Sequence, residues 1–362
     1  MSNNGASPRW WERGGAVVAA LLVLLVCLSA GRDIWPPDEP RYIQVAREMA
    51  ESGSWLVPRI NGRVYDQKPP LFFWALALSG WLLGAWNRYT LLLPSVGAAI
   101  GAVFVTRWFG RLSGRPRTGV LAGWILAGSL PFLYLAQLVR MDMLLLLCVT
   151  AALACIFRLC MTDAPAPRVT AAALYASLAA GTLVKGPVAV ALPALATIAW
   201  LATGRDRNRL RRLRLGWGLP LCLALVLAWA VPAALAAGPD YVWHVLVEQS
   251  TGRMSGDLPG SHPKPWYFYL VTFPWLALPW FPFFVAAAAR VPAAGSDIER
   301  QAVRLWWSWW MTTFLFFSAA AGKLEAYLLP LFPAFALITA RFFDRVDRVR
   351  PPAGSPPEVA GC

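Results

Sequence analysis

Apolar runs of 16–24 residues recur along almost the whole of this chain, and they restrict its fold more than any other feature. The first reads AVVAALLVLLVCLSAG (Ala16–Gly31). Such a run, wound as a helix rising 1.5 Å per residue, crosses a hydrocarbon layer of about 30 Å. Backbone groups inside lipid must be satisfied within their own segment, so helices are the natural spanning form for runs of this length. Of the 362 residues, 58% are hydrophobic and 14% charged. Soluble domains carry about 25% charged residues, so the composition excludes an ordinary soluble globule. Arg9 and Arg13 before the first run, and the small residues after it, also fit a signal peptide. The spans that follow favour an uncleaved first helix.

Taken in order, the runs place spans near 15–31, 89–106, 118–138, 142–160, 169–183, 187–203, 215–236, 268–289, 305–321 and 324–340. The expected fold is an all-α polytopic membrane protein with about ten transmembrane helices. The shorter aromatic run Pro69–Gly84 is set in the interface, inside the first outer loop. With the N-terminus inside, nearly all of the net charge of +14 falls on the inner side, as the positive-inside rule requires. The run RDRNRLRRLR (205–214) is then an orientation signal between two spans, and no nucleic-acid partner is expected. The expected organisation is a cytoplasmic N-terminus at 1–14, a membrane domain at 15–340, and a cytoplasmic basic, proline-rich tail at 341–362. Two long outer loops, 32–88 and 237–267, and short outer turns at 139–141, 184–186 and 322–323 complete it. The six cysteines read as small buried hydrophobes rather than a disulfide framework.

The four lysines, Lys68, Lys185, Lys264 and Lys323, all fall on the outer side of this topology, although arginine dominates the basic residues elsewhere. Snorkelling anchors would not require lysine. A compact ammonium suits a phosphate, and a lipid phosphate at the outer surface would unite the four. Lys68 also precedes Pro69-Pro70, a favourable helix start whose free N–H groups would attract an anion.

Acids at the same face need a partner or a task. Asp142 begins a span beside Arg140, which fits either a helix-dipole acid paired with arginine or a functional carboxylate. Glu325 reads as a salt-bridge partner of Lys323. His262, in GSHPKPWYFY, is open between a loop residue, a ligand and a substrate contact. In WPPDEPRY the acids precede a short amphipathic helix ending at Gly53. A residue before proline avoids the α region, so Glu39 is the more natural N-cap and Asp38 the freer carboxylate outside the helix, with a cap still open to either acid.

The stretches DEPRY…GSWLVPRINGRVYDQKPP, HPKPWYFY and GKLEAYLLPLFPAFAL, in this order among many spans, resemble the GT-C polyprenyl-phosphate-sugar glycosyltransferases. The closest resemblance is to the aminoarabinose transferases that modify lipid A, relatives of protein O-mannosyltransferases, and it runs from about residue 15 to 340. It implies inverting transfer of a sugar from undecaprenyl phosphate to an acceptor, lipid A or another envelope glycan or lipid, on the outer face of a bacterial inner membrane. Asp38 matches the family's catalytic acid and Asp142 a second important acid. Arg41, Tyr42, Tyr65 and Lys68 match the donor pocket, and Lys323 and Tyr327 sit in the late lysine–tyrosine motif. Lys185, His262 and Lys264 join the expected donor-phosphate set. Gln67 stands where relatives commonly carry a metal-associated Glu, which puts a divalent ion in doubt, with His262 as a further candidate ligand. The additional spans and outer C-terminal domain of larger relatives have no counterpart here, so acceptor choice transfers least. A polyprenyl-lipid flippase would share the spans and basic residues, but transporters place polar residues near mid-membrane, whereas these gather at span ends and outer loops.

Overall fold

The computed structural model describes residues 14–29, 32–161, 168–204, 209–257, 262–289 and 295–349. It is helical apart from one two-stranded hairpin, Arg59–Ile60 against Arg63–Val64. Helix α1 (Gly14–Ser29) is followed in the first loop by α2 (Asp38–Ser52), the hairpin and α3 (Leu71–Leu82). Then come α4 (Arg88–Leu112), α5 (Pro116–Ala127), α6 (Leu130–Ala136), α7 (Asp142–Met161), α8 (Arg168–Lys185) and α9 (Val188–Gly204). The short α10 (Arg209–Arg212) leads to α11 (Leu215–Ala237). The second long loop holds α12 (Pro239–Trp243), a π-helical turn (His244–Glu248) and α13 (Gln249–Ser255). Helices α14 (Phe268–Leu276), α15 (Phe281–Ala289) and α16 (Asp297–Ala319), a 3-10 turn (Glu325–Leu331) and α17 (Phe332–Val349) complete the described chain.

Four segments are long and apolar enough to cross a membrane: α4, α7, α11 and Glu325–Val346. Two bent pairs raise the number to six among the described residues. The expected span at 118–138 is bent by 63° between α5 and α6, and that at 268–289 by 111° between α14 and α15. Prolines fall at both breaks, Pro131 in the first turn of α6 and Pro279 between α14 and α15, where a missing N–H and a ring clash interrupt a helix.

Small residues let these helices approach closely, as they do where lipid removes any hydrophobic drive between them. A Cβ on Gly110 of α4 would come within 2.3 Å of Gly119 Cα on α5. Beneath this crossing, Phe109, Phe157, Trp200, Trp306 and Trp309 are fully buried together. Helix α11 instead presents Leu219, Leu223, Leu227, Val231 and Leu235 outward, as a lipid-facing helix does.

Some expectations are corrected. The expected tail at 341–362 begins as nine further residues of α17. Arg341 is buried because its guanidinium donates to Glu299 of α16, which Arg115 also engages, and Thr118 donates to Asp344. The remainder of the tail and residues 1–13 lie outside the described residues. Cys27 is exposed, because its face of α1 has no packed neighbour among the described residues, while Cys155 and Cys160 are buried. The helix at WPPDEPRY starts at Asp38, with Pro37 in the N-cap position and no side-chain cap. Glu39 therefore lies within the first turn, drawn there by tertiary bonds that outweigh the mild pre-proline preference. It is 1% exposed, and its carboxylate accepts from both Arg32 Nη atoms, from Trp35 N–H and from Val139 N–H.

Candidate active site

Helices α7 and α8 pack antiparallel, which brings the N-terminus of one beside the C-terminus of the other. Asp142 opens α7 and Lys185 closes α8, so each charge complements the partial charge of its helix end. They meet at 2.6 Å, Lys185 Nζ donating to Asp142 Oδ1. The other carboxylate oxygen, Oδ2, accepts from Arg140 Nε at 3.1 Å. Arg140 also lies 3.5 Å from Asp38 Oδ2, and its own carbonyl accepts from Ser95 of α4. The result is a ladder of alternating charge, Asp38–Arg140–Asp142–Lys185. It runs from the 31% exposed Asp38 side chain to the buried Asp142 side chain, 3% exposed. Both Asp142 oxygens are engaged, so this acid holds two cations in place and Asp38 is the accessible carboxylate.

Beyond Lys185 opens a cavity of about 300 Å³. Its polar lining includes Gln67, Lys68, Asp142, Lys185, Gln249 and Arg253, and Leu145, Val188, Ala191, Phe316 and Phe317 supply apolar walls. Lys68 is 9% exposed and makes no hydrogen bond among the described residues. Burial, reinforced by Arg253 and Lys185, holds its ammonium well below the ordinary lysine range. Three cations thus face one carboxylate, an excess of positive charge that an anion would relieve. Lys185 Nζ also lies 5.1 Å from the centre of the Tyr327 ring, which lines the same cavity.

The first loop supplies the next layer. Arg41 Nη1 donates to Gln67 Oε1 at 3.2 Å, and the Tyr65 hydroxyl donates to the same oxygen at 3.5 Å. Burial raises the Tyr65 phenol to about 12 against the pull of Arg41, and burial also raises Tyr42 well above its ordinary value. Tyr42 and Tyr65 each pack edge-on against Phe73 of α3.

Two of the four lysines lie elsewhere. Lys323 is buried and donates to the carbonyls of Lys264 and Ala320, so it latches the segment before α14 to the end of α16 instead of facing the cavity. Burial lowers it from the ordinary lysine range. Backbone bonds from Lys264 N–H to Ala321 and from Lys323 N–H to His262 complete this latch. Lys264 and His262 are exposed and do not line the cavity. Glu325 is exposed and forms no ion pair with Lys323, whose ammonium is held by carbonyls. Arg253 and Gln249, on α13 of the second long loop, were not singled out from the sequence. The available signal was an arginine among small residues, STGRMSG, in a loop already assigned to the lysines' side.

These residues do not suit a divalent cation. The Gln67 carbonyl oxygen is already taken by a guanidinium, His262 lies off the cavity, and no three His, Cys, Asp or Glu residues converge among the described residues. No step is drawn through a metal.

Residues 67–233 match the family described as dolichyl-phosphate-mannose-protein mannosyltransferase. The chain is 32% identical over 337 residues to the undecaprenyl phosphate-alpha-4-amino-4-deoxy-L-arabinose arabinosyl transferase of Shewanella sediminis, covering 90% of this chain and 59% of that protein. It is 31% identical to the protein of the same name from Pectobacterium atrosepticum, covering 91% and 58%. The chain thus spans less than two thirds of the length of these relatives. Among solved structures, ArnT from Cupriavidus metallidurans bound to undecaprenyl phosphate superposes with a TM-score of 0.80 at 24% identity, covering 91% of this chain and 60% of that one. The oligosaccharyltransferase AglB from Archaeoglobus fulgidus gives 0.61 at 12% identity, covering 94% and 51%. At these identities the structural likeness establishes the fold, while the sequence matches reach from the first loop through the cavity-forming helices. The chain thus has the fold of ArnT, and over nine tenths of its length it is similar in sequence to aminoarabinose transferases, with its residues 67–233 matching the mannosyltransferase family.

Proposed function

We propose that this chain transfers a sugar from a polyprenyl phosphate, of the undecaprenyl type, to an acceptor oxygen, with inversion at the anomeric carbon. The observation that carries this reading is the convergence of Lys68, Lys185 and Arg253 on a cavity whose other walls are apolar. Phosphate charge and a hydrocarbon tail need those two surfaces side by side. The relative from Cupriavidus metallidurans is bound to undecaprenyl phosphate, which supports the donor class. The names of the sequence relatives support 4-amino-4-deoxy-L-arabinose as the sugar and, with the family resemblance, lipid A or another envelope lipid or glycan as the acceptor.

In the reaction the acceptor oxygen attacks the anomeric carbon, and the bond from that carbon to the phosphate oxygen breaks. The departing phosphate keeps the bonding electron pair, and the three cations stabilise its growing charge. The acceptor's proton passes to Asp38, the exposed carboxylate of the ladder. Arg140 holds Asp38 in place, and Asp142 holds Arg140 and Lys185 in turn. Arg41, Tyr65 and Gln67 frame the entry beside Lys68. Ten crossings with this site on the outer face of a bacterial inner membrane belong to the same reading. Gathering of the polar groups at helix ends, with most basic residues on the opposite side, supports that orientation.

Purified protein incubated with undecaprenyl-phosphate aminoarabinose and candidate acceptors should release undecaprenyl phosphate and glycosylate one of them. Movement of the lipid across a proteoliposome bilayer, with no release from any acceptor mixture, would favour a flippase and overturn the transferase reading.

A further inference from the structure

We propose that His244 is a positioning residue that sets the Arg253 guanidinium through Gln249, an inference that rests on Arg253 contacting the donor phosphate. The hydrogen-bond order fixes itself. His244 Nδ1 lies 2.6 Å from Glu248 Oε2, an acceptor, so Nδ1 carries the proton and donates. His244 Nε2 lies 3.1 Å from Gln249 Nε2, an amide nitrogen that can only donate, so the imidazole Nε2 accepts. Gln249 Oε1 in turn accepts from Arg253 Nη2 at 3.5 Å. Donors and acceptors run in one consistent sense from Arg253 through Gln249 and His244 to Glu248.

The local backbone makes this chain of bonds possible. Residues three or four apart are neighbours on an α-helix, whereas residues five apart are not. His244 and Gln249 are five apart, and the π-helical turn His244–Glu248 widens the helix between them. Gln249 is 8% exposed and lines the cavity with Arg253, whereas the His244 side chain is 30% exposed at the rim.

Across the rim stands Asp66, next in sequence to the cavity residues Gln67 and Lys68, with Oδ2 3.6 Å from His244 Nε2. The charged and titratable groups facing His244 are thus Asp66 from the first loop and Glu248 from its own turn. Arg253 lies one residue further along the bonds, and Tyr241 also senses Asp66. A protonated imidazole has no lone pair for Gln249. Its Nε2–H would turn to Asp66, and the Gln249 amide would no longer hold the guanidinium. Protonation therefore weakens the phosphate site, although it adds positive charge near the rim.

Undecaprenyl phosphate binding to the purified full chain, measured from pH 5.5 to 8, tests this. The ligand's phosphate changes charge in that interval and the Lys68 ammonium is depressed toward it, so the relay is read as the difference between the parent and a variant without the imidazole at each pH. His244→Ala and Gln249→Leu should each weaken binding about fivefold at pH 8, and the double variant should be no weaker than either alone. His244→Gln, which keeps an acceptor oxygen and takes up no proton, should match the parent at pH 8 and bind more tightly than it at pH 5.5. Additive losses, or a His244→Gln profile unchanged from the parent, would overturn the relay. A parent that gains affinity relative to His244→Gln as pH falls would overturn it too, since that is the behaviour of a simple added charge. Arg253→Ala separates the two levels. If it leaves affinity unchanged, the phosphate reading of Arg253 fails. If it weakens binding while His244→Ala does not, only the relay fails.

Discussion

Replacing Lys68 with methionine should move stability and binding in opposite directions. In the free protein the Lys68 ammonium is buried, unbonded and repelled by Arg253 and Lys185. Asp142, the acid it faces, is already satisfied by Lys185 at 2.6 Å and Arg140 at 3.1 Å. Removing Lys68 therefore orphans no carboxylate, and an apolar replacement of a buried charge is stabilising by about 1–3 kcal/mol. Binding goes the other way. One charge-assisted bond to phosphate is worth about 1.5–3 kcal/mol, so affinity for undecaprenyl phosphate should fall roughly 10- to 150-fold. Proton linkage has the same sign as the stability effect. A lysine whose folded pKa is depressed destabilises the fold while charged, and the penalty is relieved as pH rises through that depressed value toward the ordinary one. Raising the pH should accordingly weaken phosphate binding in the parent before ordinary lysines titrate, and less so in Lys68→Met. Thermal unfolding in detergent, with and without undecaprenyl phosphate, reads both quantities. A variant that melts lower than the parent without ligand, yet keeps the full ligand-induced shift, would refute the account of Lys68 as a strained anion site.

Other substitutions separate chemistry from architecture. Asp38→Asn should keep the fold and phosphate affinity and lose transfer by roughly 10²–10⁴-fold, as measured by release of undecaprenyl phosphate. Asp142→Asn leaves Lys185 and Arg140 facing a neutral amide in a buried site, and should destabilise the protein by about 3–5 kcal/mol in chemical unfolding. Lys323→Met breaks a buried donor away from two carbonyls, and should cost about 1–3 kcal/mol of stability while the folded fraction binds phosphate normally. Lys264→Ala, at an exposed position, should change stability by less than about 0.5 kcal/mol and leave binding unchanged.

The helices were legible in the sequence because long apolar runs declare themselves, although among the described residues only four to six, against an expected ten, are long and apolar enough to cross a membrane. The bends within 116–136 and 268–289 were less so, since proline marks a break without giving its angle. The side chains of the site were legible by type and unevenly by role. The expected topology groups Lys68 and Lys185 with Lys264 and Lys323 on one side, and that grouping carries no depth. The structure sends two lysines into the cavity and uses Lys323 to hold a backbone latch. Arg253 was hidden among ordinary arginines, because its position depends on how α13 folds back over the cavity. Glu39 went astray for a similar reason. Local proline geometry favours a cap, and bonds to Arg32 and to Val139, 100 residues away in sequence, override it.

That carboxylate also bears on how the protein can be re-engineered. Glu39 joins the segment before α2 to the turn that carries Arg140, so Asp38 and its arginine partner keep their spacing as one rigid unit. A chimera that exchanges the first long loop with a relative's must bring residues 137–140 with it, or the grafted acid will arrive beside a turn that does not hold it. Conversely, loop residues past Gly53, such as the exposed hairpin tip at Asn61–Gly62, are tied in by fewer bonds and offer the safer place for substitutions.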